Sequence, residues 1–186
     1  MLHRHTALLL GLLICSPLSA YGSESNADFL MQLFTDACIP NRGHPERVRA
    51  WAAAQHLQEM TAPQAIKLFV GDGPNGIAWR IPSPQGNFAL SIRGTTQGCT
   101  AWARTADPAE VTALFKKLID ASTRPNVEIG VESDKTTPTT YGDSRALVYH
   151  LYPQSGKTGF GLMMVTVERE GSPMQAELQI AVLSRP

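Results

Sequence analysis

The 186-residue chain is short of the features that usually announce a function. Charge of one sign is missing, because 16 Lys and Arg stand against 16 Asp and Glu. A chain so balanced offers no electrostatic footprint for nucleic acid or for an anionic membrane, and neither is expected as a partner. Catalytic and nucleotide motifs are missing too. There is no Gly-x-Ser-x-Gly elbow and no His-Glu-x-x-His pair, and the Gly-x-Gly-x-x-Gly spacing of Gly71, Gly73 and Gly76 falls in a turn ahead of a strand, not between a strand and a helix as a dinucleotide loop requires. The segment "SGKTG" resembles the end of a phosphate loop, but Leu151 stands where that motif needs its first glycine. It reads as a hairpin turn.

Long apolar runs are also lacking, with one exception. Residues 6–14 are almost wholly apolar, follow a short basic start at Arg4, and are ended by Pro17 and a small residue at Ala20. Basic start, apolar middle and small-residue cleavage site are the parts of a secretory signal peptide. The run is too short for a transmembrane helix, which needs about 20 residues, so no stable membrane insertion is expected. The expected division is a signal peptide over 1–20 and a single domain over 21–186, with a periplasmic location in a bacterial envelope. Cys15 follows Ile14, not the small residue that a lipid-acceptor cysteine requires.

Cysteine is scarce, with three in all, and removal of the leader would leave Cys38 and Cys99. Two cysteines in an exported chain most simply form one disulfide. In "NADFLMQLFTDAC" the apolar residues Phe29, Leu30, Leu33, Phe34, Ala37 and Cys38 form a helical stripe. In "CTAWAR" Cys99, Ala101 and Ala103 share one face of a strand, and their small side chains leave room for a helix. A Cys38–Cys99 bridge from first helix to sheet is predicted, stabilising by about 4 kcal/mol in the chain-entropy picture. A redox pair normally sits close in sequence. A structural zinc site wants four ligands, and only His44, His56 and His150 accompany the two thiols, at no tight spacing. No metal or cofactor is expected.

The rest of the chain reads as alternating helices, then mostly strands. Residues 26–38 form a helix with Asn26 at its cap. A second helix runs from Glu46 to Met60, with Pro45 in its first turn. Thr61 caps a short third helix, "APQAIKLF". "IAWRI" and "FALSI" alternate about a turn containing Pro84 and Gly86, which is a hairpin signal. "DPAEVTALFKKLI" is a helix capped by Asp107, with Pro108 at its first position and an apolar stripe at Val111, Leu114, Phe115, Leu118 and Ile119. "NVEIGVE" reads as a short strand, "SDKTTPTTYGDS" as a polar loop, and residues 145–152, 159–169 and 174–184 as three longer strands. The fold class is therefore α+β: a two-layer arrangement in which an antiparallel sheet of about six or seven strands carries three or four helices mainly on one face.

Candidate binding residues follow from alternation. Trp79 shares a face with Ile77 and Ile81 and belongs to the core. Trp102 points opposite to Cys99, with Arg104 two residues on, and an open Trp beside Arg is the composition of a binding hot spot. In the last strand Gln175, Glu177 and Gln179 alternate with Ala176, Leu178 and Ile180, which predicts a wet face. Trp102, Arg104, Gln175, Glu177 and Gln179 are thus the expected surface for a protein or peptide partner. No residue is assigned a catalytic role. His44 sits at a helix start, His56 lies about 120° around that helix from it, and His150 shares a strand face with Val148 and Tyr152. Asp72 and Asn75 in "GDGPNG" read as a turn.

Three segments, "GIAWRIPSPQGNFALSI", "GCTAWARTADPAEVTALFKKL" and "PMQAELQIAV", together resemble a family of small proteobacterial exported proteins and lipoproteins with no established activity. The shared pattern is a Gly-x-Ala-Trp strand, a Gly-Cys strand followed by an Ala-Asp-capped helix, and a Gln-Ala strand, here Gly76 to Trp79, Gly98 to Asp107 and Gln175–Ala176, with Cys38 upstream. The resemblance implies an envelope location and supplies no catalytic residues. The expected function is a non-catalytic binding protein of the envelope, with an inhibitor or immunity-type protein acting through residues 133–143 as the alternative and a hydrolase as a third.

Overall fold

The computed structural model describes residues 24–185 apart from Gln85 and Glu170. The expected signal peptide lies outside the described residues. Eight strands form one antiparallel sheet: β1 (Gln58–Glu59), β2 (Ile77–Ile81), β3 (Phe88–Ile92), β4 (Cys99–Ala103), β5 (Val127–Thr139), β6 (Gly142–Pro153), β7 (Thr158–Val167) and β8 (Ala176–Ser184). Their order is β1-β2-β3-β4-β8-β7-β6-β5. The helices are α1 (Asn26–Leu33), α2 (Pro45–Ala54), α3 (Pro63–Phe69) and α4 (Pro108–Ala121), with a π-helical turn over Phe34–Cys38.

The α+β class is as expected, and the strand count exceeds the expected six or seven. One extra strand is β1, two residues paired with Trp79 and Arg80 of β2. It exists because α2 stops at Ala54, not at Met60. His56 takes a left-handed conformation (φ 54°), and the Leu57 N–H returns to the Ala52 carbonyl at 3.0 Å, closing the helix end. The supposed polar loop is the other surprise. Residues 127–141 form the long strand β5 and a two-residue turn into β6, with Thr139 opposite Gly142. Thr139 Oγ1 donates to the Gly142 carbonyl at 2.7 Å, and Arg145 grips Asp134 with two bonds of 2.9 and 2.7 Å. Threonine-rich, polar on both sides, this segment is an edge strand without a core face.

One face of the sheet carries α1, the π-helical turn and α4. Its inward residues run in register: Trp79, Leu90, Ala101, Leu178 and Met164 lie side by side across β2, β3, β4, β8 and β7, all buried. Ser25, rather than Asn26, caps α1: its Oγ accepts from the Asp28 N–H at 3.0 Å while Asp28 reaches back to the Ser25 N–H. Asp107 caps α4 by accepting from the Glu110 N–H at 2.8 Å, and Ser25 Oγ donates to Glu110 at 2.8 Å, so the two helix starts are tied together. The π-helical turn turns both Ala37 and Cys38 fully inward. Cys38 bonds Cys99 with the Cα atoms 5.3 Å apart, the predicted bridge, within the ordinary span for a disulfide.

The helices do not all share that face. α3 lies on the other side, where Phe69 meets the Trp102 ring edge-on at 5.4 Å. Its N-cap is Ala62, with Pro63 as its first residue, rather than Thr61. A Cβ on Gly73 (φ +111°) would stand 2.6 Å from the Gly94 carbonyl carbon, so this backbone crossing beneath the end of α3 requires glycine. Beyond α3, on the same face, Val148, Met163 and Val165 stay half-exposed.

Candidate functional site

The face opposite the disulfide carries a row of polar side chains where a β-sheet core would normally be apolar. Ser91 of β3, Thr100 of β4 and Gln179 of β8 lie in register, as do Ala89, Trp102 and Glu177 one step along. The expected wet face is not wet. Gln175, Glu177 and Gln179 are 5, 8 and 8% exposed, and Trp102 only 4%. The physical reason is the cover: α3 from one side and the turn over residues 93–98 from the other.

Most of the buried polar groups find partners, two of them from the 93–98 turn. Trp102 Nε1 donates to Ser91 Oγ at 2.9 Å. Gln179 Nε2 donates to Thr96 Oγ1 at 3.3 Å. Gln175 Oε1 accepts from the Ala106 N–H at 3.2 Å, and its own N–H bonds the Ala103 and Arg104 carbonyls, splicing the start of β8 to the end of β4. Arg93 does two things at once: its guanidinium lies over the Trp102 ring at 5.0 Å, and its Nη2 donates to Glu177 at 3.4 Å. Burial pushes the Glu177 carboxyl up to about 7, against the opposing pull of Arg93. Thr100 Oγ1 is buried without a hydrogen-bond partner among the described residues.

Arg104 is the one residue of the expected surface that stays open. It lies past the end of β4, exposed, and meets a second exposed arginine, Arg80 of β2, across a cleft of about 640 Å³. The apolar part of the lining is Met60, Phe69, Phe88, Pro173 and Met174. Phe69 is the ring that closes over Trp102, so the floor of the cleft and the cover of the buried row are one side chain. Among the described residues lining the cleft there is no carboxylate, and neither arginine enters an ion pair. Arg80 was not foreseen. Arg80 reaches this place because it pairs with Ala89 and Ala89 with Trp102, a strand register that the sequence does not display.

The titratable groups do not assemble. His44 sits at the start of α2, half-exposed, 3.2 Å from Glu46. His150 packs beside the Tyr152 ring at 5.6 Å and lies over Gly130, where a Cβ would strike the imidazole. The Asn75 carbonyl accepts from Arg49 at 2.7 Å in the turn before β2. Among the described residues no group of three His, Cys, Asp or Glu is placed to hold a metal ion, and no helix is long and apolar enough to cross a membrane.

No family model matches the chain, and no curated protein matches it. A crystal structure described as a genomics target aligns over 86% of this chain and 99% of its own at 14% identity and a TM-score of 0.20. A likeness that low carries no argument about fold or function.

Proposed function

We propose that this protein is a non-catalytic binding module of the bacterial envelope, exported through its N-terminal segment, like the small exported proteins and lipoproteins its sequence resembles. Its partner is a protein or peptide that presents acidic groups to Arg80 and Arg104. The carrying observation is this pair of exposed guanidinium groups over an apolar floor, with no carboxylate beside them among the described lining residues. Two unspent arginines beside Phe69 and two methionines have the composition of an interface anchor. The covered face behind them holds the cleft rigid, because Trp102 is fixed by Ser91, Arg93 and Phe69 together. Neither nucleic acid nor a bilayer enters this reading.

The test is crosslinking in intact envelopes with the wild type and with Arg80→Glu/Arg104→Glu. The wild type is expected to recover a partner at fixed stoichiometry, and charge reversal to abolish recovery while the far-ultraviolet spectrum stays unchanged. Equal recovery by both removes the cleft from the reading. Export is tested separately, by the intact mass of chain recovered from the periplasm, which is expected to begin near Tyr21.

One observation favours a second reading, that of an inhibitor blocking an envelope enzyme. Tyr141, 41% exposed, stands at the tip of the β5–β6 hairpin, and its N–H is anchored on Thr139 Oγ1 at 3.1 Å. A stiff hairpin with an aromatic tip is a shape suited to plugging a cleft. Tyr141→Ala would then abolish recovery of the partner and Arg80→Glu/Arg104→Glu would not.

A further inference from the structure

A second cavity, of about 410 Å³, lies on the disulfide side of the sheet, remote from the cleft. Its floor is apolar and built from three strands: Leu151 of β6, Phe160 and Leu162 of β7, and Ile180 of β8. The chain after the π-helical turn walls it on one side and the C-terminal end of α4 on the other. The apolar surface does not stop at the cavity. Val182, directly opposite Phe160 in the register, is 45% exposed, an uncovered aliphatic side chain next to a half-buried ring.

Two arginines from unrelated parts of the chain line this trough, Arg42 and Arg124. Arg42 lies over the Phe160 ring at 5.3 Å and donates one bond to the Ile39 carbonyl at 2.7 Å. Arg124 donates to the Ala121 and Thr123 carbonyls at 2.9 and 2.8 Å, which answers the negative end of α4. A guanidinium has five N–H groups, so both keep donors in hand. Among the described residues neither is paired with a carboxylate, and none of the residues lining the trough is acidic. Apolar floor and cationic rim are complementary to one class of molecule.

We infer that this trough binds a medium-chain fatty carboxylate, its alkyl chain along Leu151, Phe160 and Ile180 and its head at Arg42 and Arg124. Its volume falls within the few hundred Å³ of small-ligand pockets. The charge pattern selects an anion over a cation of equal chain length, because a quaternary ammonium head would meet two guanidinium groups and no counter-charge.

Calorimetric titration of the mature chain with dodecanoate, below its micelle concentration, tests this. Dodecyltrimethylammonium serves as the cationic match. One site per chain, a negative heat-capacity change and no binding of the ammonium ion are expected. Arg42→Gln/Arg124→Gln should weaken dodecanoate by roughly tenfold or more, the loss expected for charge-assisted bonds, and Ala121→Trp should block it by filling the trough. Arg80→Glu/Arg104→Glu should leave it unchanged. If Ala121→Trp does not fold, the arginine pair decides alone. Equal binding of both amphiphiles, no effect of the arginine pair, no binding at all, or a concentration-dependent dimer that hides the trough would each overturn the proposal.

Discussion

Replacing Glu177 by Gln keeps the side chain's size and removes its charge, and the outcome depends on which of two effects is larger. Arg93 attracts the carboxylate from 3.4 Å but is itself about one-quarter exposed, so water screens it. Burial beneath Trp102 and the 93–98 turn acts the other way and prevails, lifting the carboxyl from its ordinary 4.5 to about 7. A folded-state value above the unfolded one means that the proton is held more tightly in the folded chain. The full stabilisation from that proton is present below about pH 4.5 and is lost as pH rises through 7. At 1.36 kcal/mol for each pH unit of difference, the charged carboxylate costs the fold about 3 kcal/mol above pH 7, an upper figure because glutamine also pays for burial. Glu177→Gln should therefore leave stability nearly unchanged at pH 4.5 and raise it by up to about 3 kcal/mol at pH 8. For a domain of this size that is a rise of roughly 10 °C in melting temperature. Urea denaturation followed by tryptophan fluorescence at both pH values reads the difference. A variant less stable than the parent at pH 8 would refute the reasoning, since it would make Arg93–Glu177 a net stabilising ion pair.

Three further outcomes follow from the packing. Cys38→Ala/Cys99→Ala should lose about 4 kcal/mol of stability in the same denaturation assay, and the parent's two thiols should resist alkylation until a reductant is added. Gly159→Ala should cost about 1–3 kcal/mol, because its methyl would press on the Leu151 carbonyl and the Tyr152 ring; Gly86→Ala, which meets nothing nearer than 3.5 Å, should shift the midpoint by less than about 0.5 kcal/mol. Trp102→Phe should cost about 1–3 kcal/mol, since it takes the indole N–H from the fully buried Ser91 hydroxyl.

The sequence is legible where one local signal decides the structure. The 77–92 hairpin, the Asp107 cap with Pro108, and Cys38 on an apolar helical stripe facing the small residues of 99–103 all appear as read. It misleads where a polar residue's surroundings come from far away. Gln175, Glu177 and Gln179 alternate with apolar neighbours as a wet strand face does, yet their partners are Ala106, Arg93 and Thr96, brought by tertiary packing that no local pattern records. The 133–139 segment failed in the opposite sense. It has no apolar period because it is an edge strand, exposed on both sides, and pairing with β6 supplies the order that burial does not. For the site, Arg104 was readable and Arg80 was not, because only strand register places them on one cleft.

The position of β8 bears on the order of events during assembly. The strand of highest residue number stands in the middle of the sheet, between β4 and β7. A chain emerging from its N-terminal end can form two separate meanders, β1 to β4 and β5 to β7, which meet through α4 and the Phe115–Tyr149 ring contact, but no strand joins them into one sheet until residues 176–184 arrive. That seam has the long-range character of slow β pairings. The disulfide lies entirely within the earlier meander and its helix, so oxidation and closure of the sheet are separable steps. A chain ended after Val167 should still join Cys38 to Cys99 under oxidising conditions, while leaving open the edge of β4, with Ala101 and Trp102, that a neighbouring chain's β8 would fill.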